Sequence, residues 1–204
     1  MYLTDLIPAR KGWVLAVTEN GKWLMKTGTA GDLQLEPGAT VEEEVLVSAA
    51  RTDQIPSARN DCRRYLSRFD RTESQLRSYL MKRKYLKSVA DSVTEWAVGS
   101  GLVDDCRFAS IYIRSHSGSD PLGNFRIRRE LRKRGVSAGI IEELLCERNE
   151  EDYLETLVAK VSSKYGHLPF RRACRRASSY LARRGFPHDL IRRVLNEALE
   201  GFQG

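Results

Sequence analysis

The chain has 204 residues, 41% of them hydrophobic, with 34 Lys and Arg against 27 Asp and Glu for a formal net charge of +7. That is enough apolar material for one domain or several small ones, and the basic balance favours an anionic partner such as nucleic acid. No apolar stretch approaches a membrane span, and the opening MYLTDLIPARKGW lacks the basic region and apolar length of a signal peptide, so a cytoplasmic protein without membrane association is expected.

The charge is unevenly placed. Residues 1–50 hold four basic and seven acidic residues, a net of −3, and residues 51–204 hold the remaining 30 and 20, a net of +10. A polyanion-binding face is therefore expected in the later part of the chain.

In chain order, WVLAVTENGKWLMK is two short apolar runs around Asn20-Gly21, which suits a two-residue type I′ hairpin with Val17 opposite Leu24 and Glu19 opposite Lys22. The stretch EPGATVEEEVLVSAA then reads as a turn followed by a helix, with Thr40 as N-cap and Glu43 completing a capping box. RTDQIPSA, polar and containing Pro56, reads as a linker. From Ala58 onward the pattern is helical: Phe108, Ala109, Tyr112 and Ile113; Ile140, Ile141, Leu144 and Leu145; Leu190, Ile191, Val194 and Leu195 each form one apolar stripe.

These stripes belong to a repeat. Shifting Leu131 by 50 onto Leu181 places Gly135 on Gly185, Val136 on Phe186 and Ile140, Ile141, Leu144 and Leu145 on Leu190, Ile191, Val194 and Leu195. A third copy at a shift of 51 sets Leu80, Tyr85, Val89, Ala90 and Val93 against Leu131, Val136, Ile140, Ile141 and Leu144. Such a period denotes a tandem supersecondary unit, here three helices, the middle one ending at a glycine that takes the left-handed C-cap conformation. The first copy has Lys84 at that glycine position, so its middle helix is expected to end differently or run on. The fold expected is mainly α: an elongated or curved array of three three-helix repeats behind a small β-hairpin-plus-helix unit. The divisions are an N-terminal unit over 1–50, a linker over 51–57, and repeats over 58–103, 104–149 and 150–204.

The middle helices of the second and third copies segregate charge. In RIRRELRKRG, Ile127 and Leu131 share one side while Arg126, Arg128, Arg129, Arg132 and Lys133 fan across the other. In the third copy, Phe170, Ala173, Cys174, Ala177 and Leu181 oppose Arg171, Arg172, Arg175, Arg176 and Arg183. Solvated helix faces usually mix signs, because like charges at i,i+4 cost a few tenths of a kcal/mol each. These ten residues are the candidate binding faces for a polyanion, single- or double-stranded DNA, or for an acidic protein surface, and arginine's planar fork suits phosphate or carboxylate. Arg134 and Arg184, in the last turns near the apolar edge, are set apart as structural. The acidic stretch Glu142 to Glu155, with seven acids and one arginine, either pairs with these helices or keeps a duplex away.

Catalytic constellations are not evident. There is no phosphate-binding glycine loop, and His116, His167 and His188 stand apart from nucleophiles and metal ligands. Asp104-Asp105 suits a helix N-terminus better than a metal pair. The four cysteines have no metal-ligand or paired spacing and are expected as reduced thiols. Tyr65, Tyr112, Tyr165 and Tyr180 fall on or beside apolar stripes and are expected in cores. No enzyme, metal or cofactor is expected, and a monomer is.

Tyr79 to Ile113, with GLVDDCRFA at Gly101 to Ala109, followed by RIRRELRKRG and the three-copy repeat, resembles the RecX regulatory protein family over roughly Ala58 to Leu199. Val103, Cys106 and Lys84 depart from the family's usual residues without touching the basic faces. The resemblance implies a non-enzymatic regulator of the RecA recombinase that lies in the groove of the RecA–DNA filament and lowers its ATPase, strand-exchange and coprotease activities. The alternative is a RecA-independent helical DNA-binding module of helix-turn-helix type. The helices after the turn are acidic or mixed rather than basic, which weighs against it.

Overall fold

The computed structural model describes residues 1–200; the last four residues of the third repeat as delimited above, 201–204, lie outside them. The chain divides into two compact units, Met1–Asp104 and the remainder from Asp105.

The first unit opens on three antiparallel strands in the order β1 (Leu3–Pro8), β2 (Trp13–Thr18), β3 (Lys22–Lys26). The hairpin between β2 and β3 forms, but its register is Val17 opposite Lys22 and Leu15 opposite Leu24, not the expected one. The turn sits one residue earlier. The Thr18 amide donates to the Gly21 carbonyl at 2.9 Å, and Thr18 Oγ1 accepts from the Asn20 amide, so Glu19 and Asn20 occupy the corner. Gly21 serves another purpose: the Trp23 ring lies over it, and a Cβ there would sit 2.9 Å from that ring.

The short helix α1 (Thr27–Asp32) follows, then α2 (Glu43–Leu66). Leu3, Val14, Ala16, Trp23 and Met25 pack on Ala30, Leu35, Leu46 and Ala50 as one core. The helix α2 has Glu42 as N-cap with no side-chain cap, so the expected box on Thr40 is absent; Thr40 instead bridges to Tyr2.

The stretch 51–57, expected as a linker, is the middle of α2. Two of its polar residues, Asp53 and Gln54, are buried because the sheet uses them. Asp53 accepts the Lys26 amide at 2.8 Å. Gln54, wholly buried, donates to the Leu24 carbonyl at 2.7 Å and accepts the Leu86 amide at 2.8 Å. One side chain thus satisfies a β3 carbonyl and the N-cap amide of the helix Lys87–Gly99, where an unmet buried group would cost about 1–3 kcal/mol. Pro56 lies inside the helix and is exposed.

The C-terminal half of α2 is the first helix of repeat one; α3 (Glu73–Lys82) and α4 (Lys87–Gly99) complete it. Ala58, Cys62, Leu76, Leu80, Tyr85, Val89 and Val93 form its core. Thr72 and Gln75 make a reciprocal capping box on α3. Repeat two is α5 (Asp105–Ser115), α6 (Asn124–Lys133) and α7 (Ala138–Cys146), around Ala109, Ile127, Leu131, Val136, Ile141 and Leu145. Repeat three is α8 (Glu150–Tyr165), α9 (Phe170–Arg183) and α10 (His188–Glu200), around Leu154, Leu157, Val161, Leu181, Phe186 and Ile191. Tyr65, Tyr112, Tyr165 and Tyr180 flank these cores, as expected. Asp104 directly precedes α5 and Asp105 begins it. The cysteines are unpaired thiols, Cys62 buried and Cys106 and Cys146 exposed.

The three middle helices end identically. The amides of Tyr85, Val136 and Phe186 donate to the carbonyls of Leu80, Leu131 and Leu181 at 3.4, 3.2 and 3.3 Å. The residue before each is left-handed, with φ of 66° at Lys84, 85° at Gly135 and 93° at Gly185. Lys84 therefore neither extends α3 nor ends it differently: the buried Tyr85 side chain and the cap hydrogen bond impose the same turn on a residue with a Cβ. Asp61, buried, locks this turn by accepting the Tyr85 hydroxyl at 2.7 Å and Arg83 at 2.6 Å, with Arg64 on its other oxygen.

Within the second unit, repeats two and three are joined at backbone level. The amides of Gly123 and Phe125, at the start of α6, donate to the carbonyls of Arg184 and Gly185, at the end of α9. Free amides at one helix start thus satisfy free carbonyls at another helix end. The approach excludes side chains: a Cβ on Gly123 would lie 2.2 Å from the Gly185 oxygen, and one on Gly185 2.4 Å from the Arg126 Cβ.

Candidate polyanion-binding faces

The helix α9 carries its basic residues on the side away from Ala173, Ala177 and Leu181, which are buried. Arg171, Arg172, Arg175, Arg176 and Arg183 are all exposed. Among the described residues none has a carboxylate within 4 Å. Two features make this arrangement costly to the helix. Arg171 faces Arg175 and Arg172 faces Arg176 at i,i+4, each pair repelling by a few tenths of a kcal/mol. The first turn holds no acid and two arginines, at the end where the helix dipole favours negative charge.

The helix α6 differs. Glu142 of α7 accepts Arg128 Nε at 3.0 Å through both oxygens and lies 3.5 Å from Arg132. The Arg128 hydrogen bonds hold its carboxyl below the usual range despite some loss of solvent, and the positive charges of Arg128 and Arg132 add to this. The acidic stretch therefore pairs in part with the basic helix. Arg126 turns to the Arg183 carbonyl at 3.1 Å, with its Nε buried and unpartnered among the described residues, so it belongs to the joint. Arg129 lies 3.8 Å from Glu130, and Lys133 is exposed with no carboxylate within 4 Å among the described residues. The ten candidates are thus not equivalent: five on α9 with Arg129 and Lys133 face solvent, Arg128 and Arg132 share Glu142, and Arg126 is partly structural.

Arg184 and Arg134 hold structure. Arg184 donates to the Pro121 carbonyl at 2.9 Å, reaches Asp120 and touches the Tyr180 hydroxyl, tying the loop before α6 to α9. Arg134 pairs with Glu130 at 3.0 Å over the Tyr112 ring.

Arg148, the one base in the acidic stretch, has a role that its sequence context does not signal. It donates to the Leu122 carbonyl at 2.8 Å, to Asn124 Oδ1 and to Ser117 Oγ, and its guanidinium lies 4.0 Å from the Tyr153 ring centroid. Glu150 accepts the Asn124 amide at 2.6 Å and so caps α6 from the next repeat. Burial raises the Glu150 carboxyl, partly offset by that amide and by Arg148. The first unit adds further bases: Arg59 and Arg63 lie over the Trp96 ring.

His116 stacks on Tyr112 with Nδ1 2.8 Å from the Tyr112 carbonyl. Among the described residues no three His, Cys, Asp or Glu side chains gather at a metal-binding distance, and no helix is long and apolar enough to cross a membrane.

Comparison with known proteins assigns the repeats. Residues 58–96, 104–145 and 149–195 match, in turn, the family models of the first, second and third three-helix domains of RecX. A "Regulatory protein RecX" of Streptomyces coelicolor is 30% identical over 167 residues, 80% of this chain and 88% of that one. One of Halorhodospira halophila is 35% identical over 140 residues, 67% of this chain and 84% of that one. The fold is shared with a crystal structure of regulatory protein RecX, at a TM-score of 0.65 and 22% identity over 96% of this chain and 98% of that one. It is shared too with RecX from Lactobacillus salivarius, at 0.65 and 23% over 72% and 97%. With three successive domains matched in order and relatives aligned over most of their length, the chain belongs to the RecX family of regulatory proteins.

Proposed function

We propose that this protein is a non-enzymatic, monomeric, cytoplasmic regulator of RecA. It binds the RecA–DNA filament in its groove and lowers RecA's ATPase, strand-exchange and coprotease activities, and so acts on homologous recombination, DNA repair and the SOS response. Membership of a family of regulatory proteins supports the regulatory role. The observation that carries the binding mode is the α9 face: five exposed arginines, without acid partners among the described residues, on a helix whose stability they lower. Phosphates or acidic filament surfaces would supply the missing counter-charge. Arg128 and Arg132 join them by exchanging Glu142 for phosphate, a modest exchange because the bridge is solvent-exposed.

The test is RecA ATPase on single-stranded DNA, titrated with this protein. The rate should fall at equal or substoichiometric amounts. An unchanged rate with folded protein that still binds DNA would favour the RecA-independent helical module. The charge layout argues against that alternative: α7, which follows the turn, exposes Glu142 and Glu143, with Glu147 as its C-cap, where a recognition helix needs positive charge.

A further inference from the structure

The basic face of α6 has an apolar residue at its centre. Phe125 is 66% exposed, among the most exposed large apolar side chains of the chain. At 100° per residue it lies between Arg132 and Arg129, on the side opposite the buried Ile127 and Leu131. It is therefore i+3, i+4 and i+7 neighbour to Arg128, Arg129 and Arg132, the spacing at which helical side chains adjoin. Phe170, also exposed, is different: it continues the apolar stripe of Ala173 and Ala177.

The joint adds the second basic helix. The Phe125 amide donates to the Gly185 carbonyl at 3.3 Å, and its neighbour Arg126 donates to the Arg183 carbonyl. The start of α6 thus abuts the end of α9, and Phe125 stands where the two arginine-bearing helices meet. The Gly123–Gly185 backbone approach fixes that meeting point.

We infer that Phe125 is a base-stacking residue that gives this face a preference for unpaired over paired nucleic acid. The inference rests on the proposed contact between the basic faces and DNA, and names the form of DNA they take. Arginines on both sides hold successive phosphates, and the ring between them meets a base. A duplex offers the same phosphates but keeps its base faces stacked within the helix; a single strand leaves them open to an aromatic side chain. An acidic protein segment would satisfy the arginines equally well, but it would give no preference for a strand with bases over one without.

The full-length protein and its Phe125→Ala and Phe125→Trp variants would be titrated with three probes of equal length: a thymidine oligonucleotide, an abasic strand with the same phosphates, and a duplex. Thermal melts should match the parent, because the ring is exposed. The parent should bind the thymidine strand more tightly than the abasic one. Phe125→Ala should weaken thymidine binding roughly 5- to 150-fold, the range for loss of one stacked base. It should leave abasic and duplex binding unchanged, and Phe125→Trp should restore the preference. Equal loss on all three probes, or no loss on thymidine, overturns the inference while leaving the basic-face reading intact. Loss of RecA inhibition with thymidine binding unchanged assigns Phe125 to a protein contact and also overturns it. A parent that binds none of the probes removes the DNA contact itself, and the inference with it.

Discussion

Replacing Lys84 with glycine should stabilise the first unit. Lys84 holds φ of 66° in a cap otherwise shared with Gly135 and Gly185. The left-handed conformation costs a residue with a Cβ about 1–2 kcal/mol. Glycine relieves that but loses more freedom on folding, which takes back about 0.4–1 kcal/mol. The net gain is about 0.5–1 kcal/mol. Converted to melting temperature, that is a rise of up to about 2–4 °C where the chain melts as one body, and about twice that where the first unit melts alone. Urea denaturation with an unchanged slope is the cleaner readout. Lys84 also sits among Lys82, Arg83 and Lys87, so relief of charge repulsion would mimic the effect. Lys84→Ala separates the two: it removes the charge and keeps the Cβ, and should leave stability within about 0.5 kcal/mol of the parent. The reciprocal change Gly135→Lys should cost about 1 kcal/mol. A gain from Lys84→Ala equal to that from Lys84→Gly, or a loss from Lys84→Gly, would refute the backbone account.

Gly185→Ala combines left-handed strain with a Cβ 2.4 Å from Arg126, and should destabilise the second unit by more than about 3 kcal/mol, measured by denaturation. Arg148→Ala strands the Leu122 carbonyl and Asn124 and uncovers Tyr153, and should cost about 2–3 kcal/mol by the same measurement. Changing Arg172 and Arg176 to alanine together, and separately Arg129 and Lys133, should leave melting within about 1 kcal/mol while lowering the slope of log K against log salt by about one for each phosphate that is no longer neutralised. Double variants that bind and inhibit RecA as the parent does would return these faces to plain solvated surface. Asp61 makes stability fall in acid. Burial pushes its carboxyl up, but hydrogen bonds from Tyr85 and Arg64, with the charges of Arg83 and Arg64, outweigh this and hold it below the ordinary value. Its contribution is complete above the unfolded pKa, about 3.9, and is lost as pH falls through the depressed folded value. Asp61→Asn should destabilise at neutral pH by about 2–4 kcal/mol and flatten the loss of stability below about pH 4.

The repeat was legible because its signals are local. Leucine spacing sets the buried stripe of a helix, and a glycine before Val136 or Phe186 marks the cap, whatever the rest of the chain does. The segregation of arginine from the α6 and α9 stripes could be read the same way, since a helical wheel needs only sequence separation. Phe125 was not singled out in this way: its angle places it among the arginines, but its apolar character suggests a core, and only its exposure in the fold shows otherwise.

What the tertiary structure alone decided were the places where a distant partner reverses a local preference. Asp53, Gln54 and Pro56 have the composition of a linker, yet the hydrogen bond Gln54 donates to Leu24 and the one it accepts from Leu86, thirty and thirty-two residues away, make them the middle of a helix. Lys84 disfavours the left-handed turn, and Tyr85, bonded to Asp61 twenty-four residues back, holds it there. Which arginines remain free was likewise decided across repeats. Glu142 engages Arg128 and Arg132, and the Gly123–Gly185 approach takes Arg126, while α9 meets no acid among the described residues. A wheel assigns a side chain to a face; only packing between elements determines whether that face meets a carboxylate, a carbonyl or solvent.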